Sequence, residues 1–304
     1  LGRRALNKAI EKGDLTMVRT VLDRHLVDVK SDHDYLYEAL EHDSSHNLDT
    51  VRMLLNSGAN PNTIVKGICY EGMSVPLAAI YKDDPRKVRL LLEAGADPNR
   101  NSVLGMQSFP LQIAISRRSK DIVQLLLKNG ADPDSFSPHG ANGTPIQMAA
   151  NSGKKEIVRI LLKYKSNPNT IASEMVHTAL QMAARDGRKD IVDIPIEYGA
   201  DINSLPAEEF GTTALQFAAI GGFLGIAYLL LENGADVNAV PAEFEGRTAL
   251  EGAAEHGRLD MVQLLLNAGT DVHGAGQEQY ERALRLASDN GHYAIRRLLE
   301  SYHA

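Results

Sequence analysis

His42 and His46 stand four residues apart, a spacing at which two imidazoles can share a divalent metal. They sit in the run EHDSSHN, with no cysteine or carboxylate framework fixed around them, and read as surface histidines. Cys69, in GICYEGM, is the single thiol, and no base stands in register to make it a nucleophile. A lone cysteine forms no internal disulfide and favours a reducing compartment. The glycine runs GGFLG and GAGQEQ do not follow a strand and open no glycine-rich helix start, so they read as turns rather than as dinucleotide or phosphate loops. Glu255 or His256 could serve as an acid or base, but no nucleophile, metal or cofactor motif accompanies them. No catalytic residue, metal or cofactor is expected.

Carboxylates beside aromatic rings are a stronger signal, and they recur three times. Glu208, Glu209 and Phe210 lie in SLPAEEFG; Glu243, Phe244 and Glu245 in AVPAEFEGR; Glu278, Tyr280 and Glu281 in GAGQEQYERA. Rings edged by negative charge suit a partner with a basic or arginine-rich segment. The plainer alternative is a solvated surface with the rings tucked beneath it. Charge is uneven along the chain: of 32 basic and 39 acidic residues, the first half holds equal numbers, so the net charge of −7 comes from the second. No Lys or Arg occurs from Asp190 to Gly246. A basic cluster, Lys154, Lys155, Arg159, Lys163 and Lys165, falls mostly on one helix and reads as solvation. Overall acidity argues against nucleic-acid binding.

These segments are positioned by a repeat. GTPIQMAANSGKKEIVRILLKYKSNPN, HTALQMAARDGRKDIVDIPIEYGADIN, TTALQFAAIGGFLGIAYLLLENGADVN and RTALEGAAEHGRLDMVQLLLNAGTDVH align with one another. Looser copies precede them and ERALRLASDNGHYAIRRLLESYHA follows. Aliphatic anchors fall at Leu6, Leu36, Leu77, Leu111, Ile146, Leu180, Leu215, Leu250 and Leu284. Self-similarity at a fixed period predicts stacked units, each too small to bury its own faces. Thr144, Thr178, Thr213 and Thr248 suit helix N-caps, and Pro145 suits the first helical position. Paired alanines such as Ala149 and Ala150 permit close helix approach, and Gly153, Gly187, Gly222, Gly257 and Gly291 suit the left-handed residue that ends the first helix. Runs such as IVRILL predict a second helix, closed by Gly130, Gly199 or Gly234. Arg118 stands where this pattern expects glycine, and Pro195 where repeat five has Leu161 and repeat seven Leu230. Pro195 predicts a shortened or kinked second helix, unless the position merely tolerates it. Gln112, Gln147, Gln181 and Gln216, each following an anchor, can bridge backbone groups between repeats.

The grammar T-P-L-x-x-A-A, glycine, V-x-L-L-L and G-A-D-x-N resembles the ankyrin repeat over essentially the whole chain, and the PAEEFGTTALQ and PAEFEGRTALE forms resemble long arrays common in fungal proteins. The resemblance implies an all-α fold: an ankyrin-type α-solenoid of about nine helix-turn-helix repeats with short hairpin-like fingers. It is expected to be a single domain over residues 1–304, less regular over 1–142 and regular over 143–304. It further implies a non-catalytic scaffold that binds another protein through its concave groove and fingers. Inner-helix residues Arg185, Asp186, Glu251, Glu255 and His256 would add a mixed polar wall to that groove. Rival readings are an enzyme or small-molecule binder built on the groove, with Glu255 or His256 as acid or base, and a self-associating scaffold. A monomer in the cytoplasm or nucleus is expected. No apolar run approaches the ~20 residues needed to cross a bilayer and no secretory signal opens the chain. The first residue, Leu1 rather than Met, is read as the mark of a fragment or processed product.

Overall fold

The computed structural model describes residues 2–30, 35–41, 47–64, 73–100, 109–135, 143–171, 177–205, 212–243 and 246–303. Among them the regular structure is helical, apart from an isolated bridge between Ile64 and Ser74. The chain divides into two compact units, Leu1–Ala141 and Asn142–Ala304.

The first unit holds four helix pairs: α1 (Gly2–Lys12) with α2 (Leu15–Asp23), α3 (Tyr35–Glu41) with α4 (Asn47–Asn56), α5 (Val75–Tyr81) with α6 (Pro85–Glu93), and α7 (Pro110–Ser116) with α8 (Lys120–Lys128). The second holds five: α9 (Pro145–Asn151) with α10 (Lys155–Lys163), α11 (Ala179–Arg185) with α12 (Lys189–Glu197), α13 (Ala214–Gly221) with α14 (Leu224–Glu232), α15 (Ala249–Glu255) with α16 (Leu259–Asn267), and α17 (Gln277–Asp289) with α18 (Tyr293–His303). Within each unit first helices pack on first helices, as in the series α9, α11, α13, α15 and α17. The alanine pairs at 149–150, 183–184, 218–219 and 253–254 are wholly buried, which lets these helices approach closely.

Local chemistry starts four of the five first helices in the second unit, α9, α11, α13 and α15. Thr144, Thr178, Thr213 and Thr248 accept from the backbone N–H three residues on, and the side chains of Gln147, Gln181, Gln216 and Glu251 accept from the threonine N–H in return. These reciprocal boxes each satisfy two backbone donors that a helix end otherwise leaves bare. Outer helices α2 and α6 are capped instead by Asp14 and Asp84.

Among the described residues, the helices other than α3 and α18 end on a left-handed residue. Glycine supplies most of these, but Asp83 and Arg118 take the first-helix position, with φ of 54° and 63°. His25 and Lys165 take the second-helix one, with φ of 52° and 67°. Register, not residue type, dictates the conformation: Lys165 N–H still donates to Leu162 O, as Gly130 N–H does to Leu127 O and Gly234 N–H to Leu231 O.

Pro195 does not shorten its helix. α12 has the nine residues of α10 and α14, and the C-terminal bonds persist, with Tyr198 N–H donating to Ile194 and Pro195 oxygens and Ala200 N–H to Pro195 O. The ring is buried where Leu161 and Leu230 are buried in neighbouring copies. Only the bond back to the Ile191 carbonyl is necessarily lost, because proline has no N–H.

Two stability predictions result. Lys165→Gly and Arg118→Gly should each raise stability by about 1 kcal/mol, because the left-handed region costs an L-residue ~1–2 kcal/mol and glycine returns part of that as chain entropy; urea midpoints would measure it, and lower midpoints would refute it. Pro195→Leu should raise stability by up to ~3 kcal/mol as the missing hydrogen bond is restored, with slower local hydrogen exchange in α12 as a second readout.

Candidate functional site

The fingers between pairs are held by amide side chains from the preceding repeat. Asn203 Nδ2 donates to Gly234 O at 3.0 Å while its Oδ1 accepts from Asp236 N–H at 2.8 Å. Asn238 bonds Gly269 O and Asp271 N–H in the same way, at 3.2 and 2.8 Å. In the first unit Asn62 and Asn99 repeat the pattern. Each Asp of the A-D-x-N segment closes its own turn, as Asp236 does by accepting from Asn238 N–H.

A second set of amides clamps the finger from its other side. Gln147 Nε2 donates to Thr170 and His177 oxygens, Gln181 Nε2 to Ser204 O, and Gln216 Nε2 to Ala239 and Val240 oxygens. The glutamines thus bridge repeats as expected, while their Oε1 atoms complete the capping boxes. His177, edge-on to Phe217 at 4.9 Å, has its pKa lowered, first by burial and then by Arg185, and so is held toward the neutral ring.

Glu251 breaks this series. Its Oε2 accepts from Thr248 N–H at 3.0 Å, keeping the box, but a carboxylate has no amide to offer the next finger. Its side chain is only 1 % exposed, and Oε1 lies 3.2 Å from Arg282 Nε. Burial raises the Glu251 pKa above the usual glutamate value, opposed by the Thr248 N–H and by Arg282 and Arg247. Glu251 is therefore a cap and a buried ion-pair member, not a residue presented on a polar wall.

The third carboxylate-aromatic segment also departs from expectation, because it is helix and not finger. A single 3-10 turn, Gly274–Gly276, leads straight into α17, which is thirteen residues long where α15 has seven. Arg282 occupies the place of the capping threonines, two residues before the anchor, so nothing stops the helix from extending toward its N-terminus. Tyr280 turns inward, 6 % exposed, with Ala283 and Ala287 at helical spacing beside it; its hydroxyl donates to Leu299 O at 3.3 Å. Burial, then Glu300, raises its pKa. Tyr280 is a core residue, and Glu278 and Glu281 alone face solvent, the latter accepting from Gln277 Nε2.

Other expected residues are brought into pairs. Arg185 Nε donates to Asp186 Oδ1 at 3.1 Å and its Nη2 to Asn151 Oδ1. Glu255 takes both Nε and Nη2 of Arg247, at 2.8 and 3.3 Å, and a His256 ring nitrogen meets Gly252 O at 3.0 Å. Glu243 is exposed. Glu208, Glu209, Phe210, Phe244 and Glu245 lie outside the described residues, as do His42, His46 and Cys69.

Glu251, Glu278 and Arg282 line a cleft of about 380 Å³ together with Val240, Pro241, Asp271 and Gln279. Sequence reasoning missed Arg282 and Gln279; the loss of a capping threonine at 282 was the available signal.

Since the pKa of Glu251 is raised by folding, its protonated form favours the native state. The stability it contributes is complete below the ordinary glutamate value and is lost as pH rises through the raised one. Glu251→Gln, the residue that three neighbouring repeats already carry, should therefore raise the urea midpoint at pH 7, and the gain over the parent should shrink as pH falls below the ordinary glutamate value.

No helix among the described residues is long and apolar enough to cross a membrane. No curated protein matches the sequence. The family model for ankyrin repeats matches residues 45–137, 77–172, 135–206 and 204–275, overlapping segments that together span well over half of the 304 residues. With that match, and with nine helix pairs among the described residues, the chain belongs to the ankyrin-repeat family and has its all-α solenoid fold.

Proposed function

We propose that this chain is a non-catalytic scaffold that binds another protein, one carrying a basic or arginine-rich segment, through the acidic fingers of its second unit. Ankyrin repeats generally mediate protein–protein interaction. The observation that carries the finer reading is the uneven neutralisation of charge. Arg185 with Asp186, and Arg247 with Glu255, cancel beside the first helices, whereas Glu243 is exposed within a stretch, 190 to 246, that has no Lys or Arg, and Asp271 and Glu278 are exposed in the segment that follows it. Such a field steers a cationic partner and is screened over ~8 Å at physiological salt. The protein acts on its own as a monomer, in the cytoplasm or nucleus, and takes no nucleic acid.

Capture of a partner on the full chain, followed by kinetics, tests this. Replacing Glu208, Glu209, Glu243 and Glu245 by Gln should mainly lower the association rate and flatten its salt dependence. Phe210→Ala and Phe244→Ala should mainly speed dissociation, by about 1–2 kcal/mol each if these rings anchor the partner. A partner whose binding ignores both sets and is insensitive to salt would refute the acidic-finger reading.

A further inference from the structure

Three large aliphatic side chains stand exposed at one register position on successive fingers: Ile171, Leu205 and Val240, at 46, 71 and 68 %. Each follows the residue, Thr170, Ser204 or Ala239, whose carbonyl is held by Gln147, Gln181 or Gln216. The clamp fixes the backbone on either side of the repeat, so these side chains recur with the period of the stack. Helices in contact lie ~8–10 Å apart; α9, α11, α13 and α15 contact in series, and from this we infer a step of about the same size between the fingers, one repeat apart.

The next step along the row is different. At the corresponding place the cleft opens, and two buried side-chain oxygens at it, Glu251 Oε1 and Gln279 Oε1, have no hydrogen-bond donor among the described residues. Glu251 Oε1 has only the ion-pair contact with Arg282, and Gln279 already spends its amide on Asp271 O at 2.8 Å. Asp271 and Glu278, both exposed, line the cleft with the buried Glu251, and Arg282 is the basic residue among its lining, with Arg247 also acting on Glu251. Acceptors without donors and an excess of negative charge match a donor-rich cation, a guanidinium above all.

Apolar steps of ~8–10 Å ending in a cation-accepting cleft define a ligand. A polyproline II segment advances ~9 Å per three-residue turn and presents every third side chain on one face, without backbone hydrogen bonds of its own. A β-strand would turn each third side chain away. We propose that the finger row binds an extended, proline-tolerant segment of a partner protein, with an arginine in the cleft and aliphatic residues three, six and nine positions from it seated against Val240, Leu205 and Ile171. This deepens the scaffold reading above and rests on it.

The test uses the full chain and labelled synthetic peptides in fluorescence anisotropy. The probe is Arg-Pro-Ser-Leu-Pro-Ser-Leu-Pro-Ser-Leu and its reversed sequence. Controls carry the same composition with leucines every second or every fourth position, or Glu in place of Arg. One of the two directions should bind at least tenfold tighter than all controls. Leu205→Ser and Val240→Ser, both exposed and so compatible with folding, should each weaken it about fivefold or more. Glu278→Gln should weaken the Arg peptide and leave the Glu control unchanged. Equal binding of period-two, period-three and period-four peptides, or no binding of either direction, overturns the inference. So does a captured natural partner indifferent to Leu205→Ser and Val240→Ser; in that case salt-dependent capture through the acidic residues would leave the scaffold reading standing, whereas salt-insensitive capture would remove both.

Discussion

Amide side chains that reach from one repeat into the backbone of the next are the constraint on which the other features depend. A finger is nearly all turn, and its N–H and C=O groups have no helix or sheet to satisfy them; left unpaired and buried they would cost about 1–3 kcal/mol each. Asn203 and Asn238 supply a donor and an acceptor to the following turn, and Gln181 and Gln216 supply donors to its carbonyls. The same glutamines cap their own helices through Oε1. One side chain therefore couples helix start, finger position and repeat spacing, and stability becomes a property of neighbouring pairs.

The coupling explains why two substitutions alter the last repeat so much. Glutamate at 251 keeps the capping half of the glutamine's role and loses the bridging half, since its second oxygen can only accept. Arginine at 282 removes the next cap and offers a cation to that second oxygen. The helix extends, the finger contracts to Gly274–Gly276, and a cleft is left where a bridged turn would stand. The cost is a buried carboxylate whose charge is disfavoured, the kind of expense that a purely structural repeat avoids.

Much of this was legible in the residues. The anchors from Leu6 to Leu250, the capping threonines, the alanine pairs and the closing glycines each have one physical role at a fixed place, and the structure uses them there. What was not legible shares one cause: context outweighed local type. Lys165 and Arg118 adopt a conformation that their side chains disfavour, because the turns on either side leave no alternative register. Pro195 keeps a full nine-residue helix because it is buried together with Ile191, Val192 and Ile194, and their packing holds the helix. Tyr280 looked like an exposed ring beside carboxylates, but with no cap to stop α17 its helical spacing to Ala283 and Ala287 carried it into the core.

The division of labour between positions bears on recognition. Alanine pairs, glutamines and asparagines are committed to the stack, and charges beside the first helices are spent on one another, as in Arg247 with Glu255. The finger positions past each clamped carbonyl make no such contribution, so their side chains are free to vary without loss of fold. There a soluble surface would ordinarily carry polar groups. Isoleucine, leucine and valine at 171, 205 and 240 gain only part of their possible burial from the stack, since each is exposed, and they add apolar surface in a row. Residues that cost solubility and return little packing fit the proposed contact with a partner, and their period follows that of the amide clamps that build the fold.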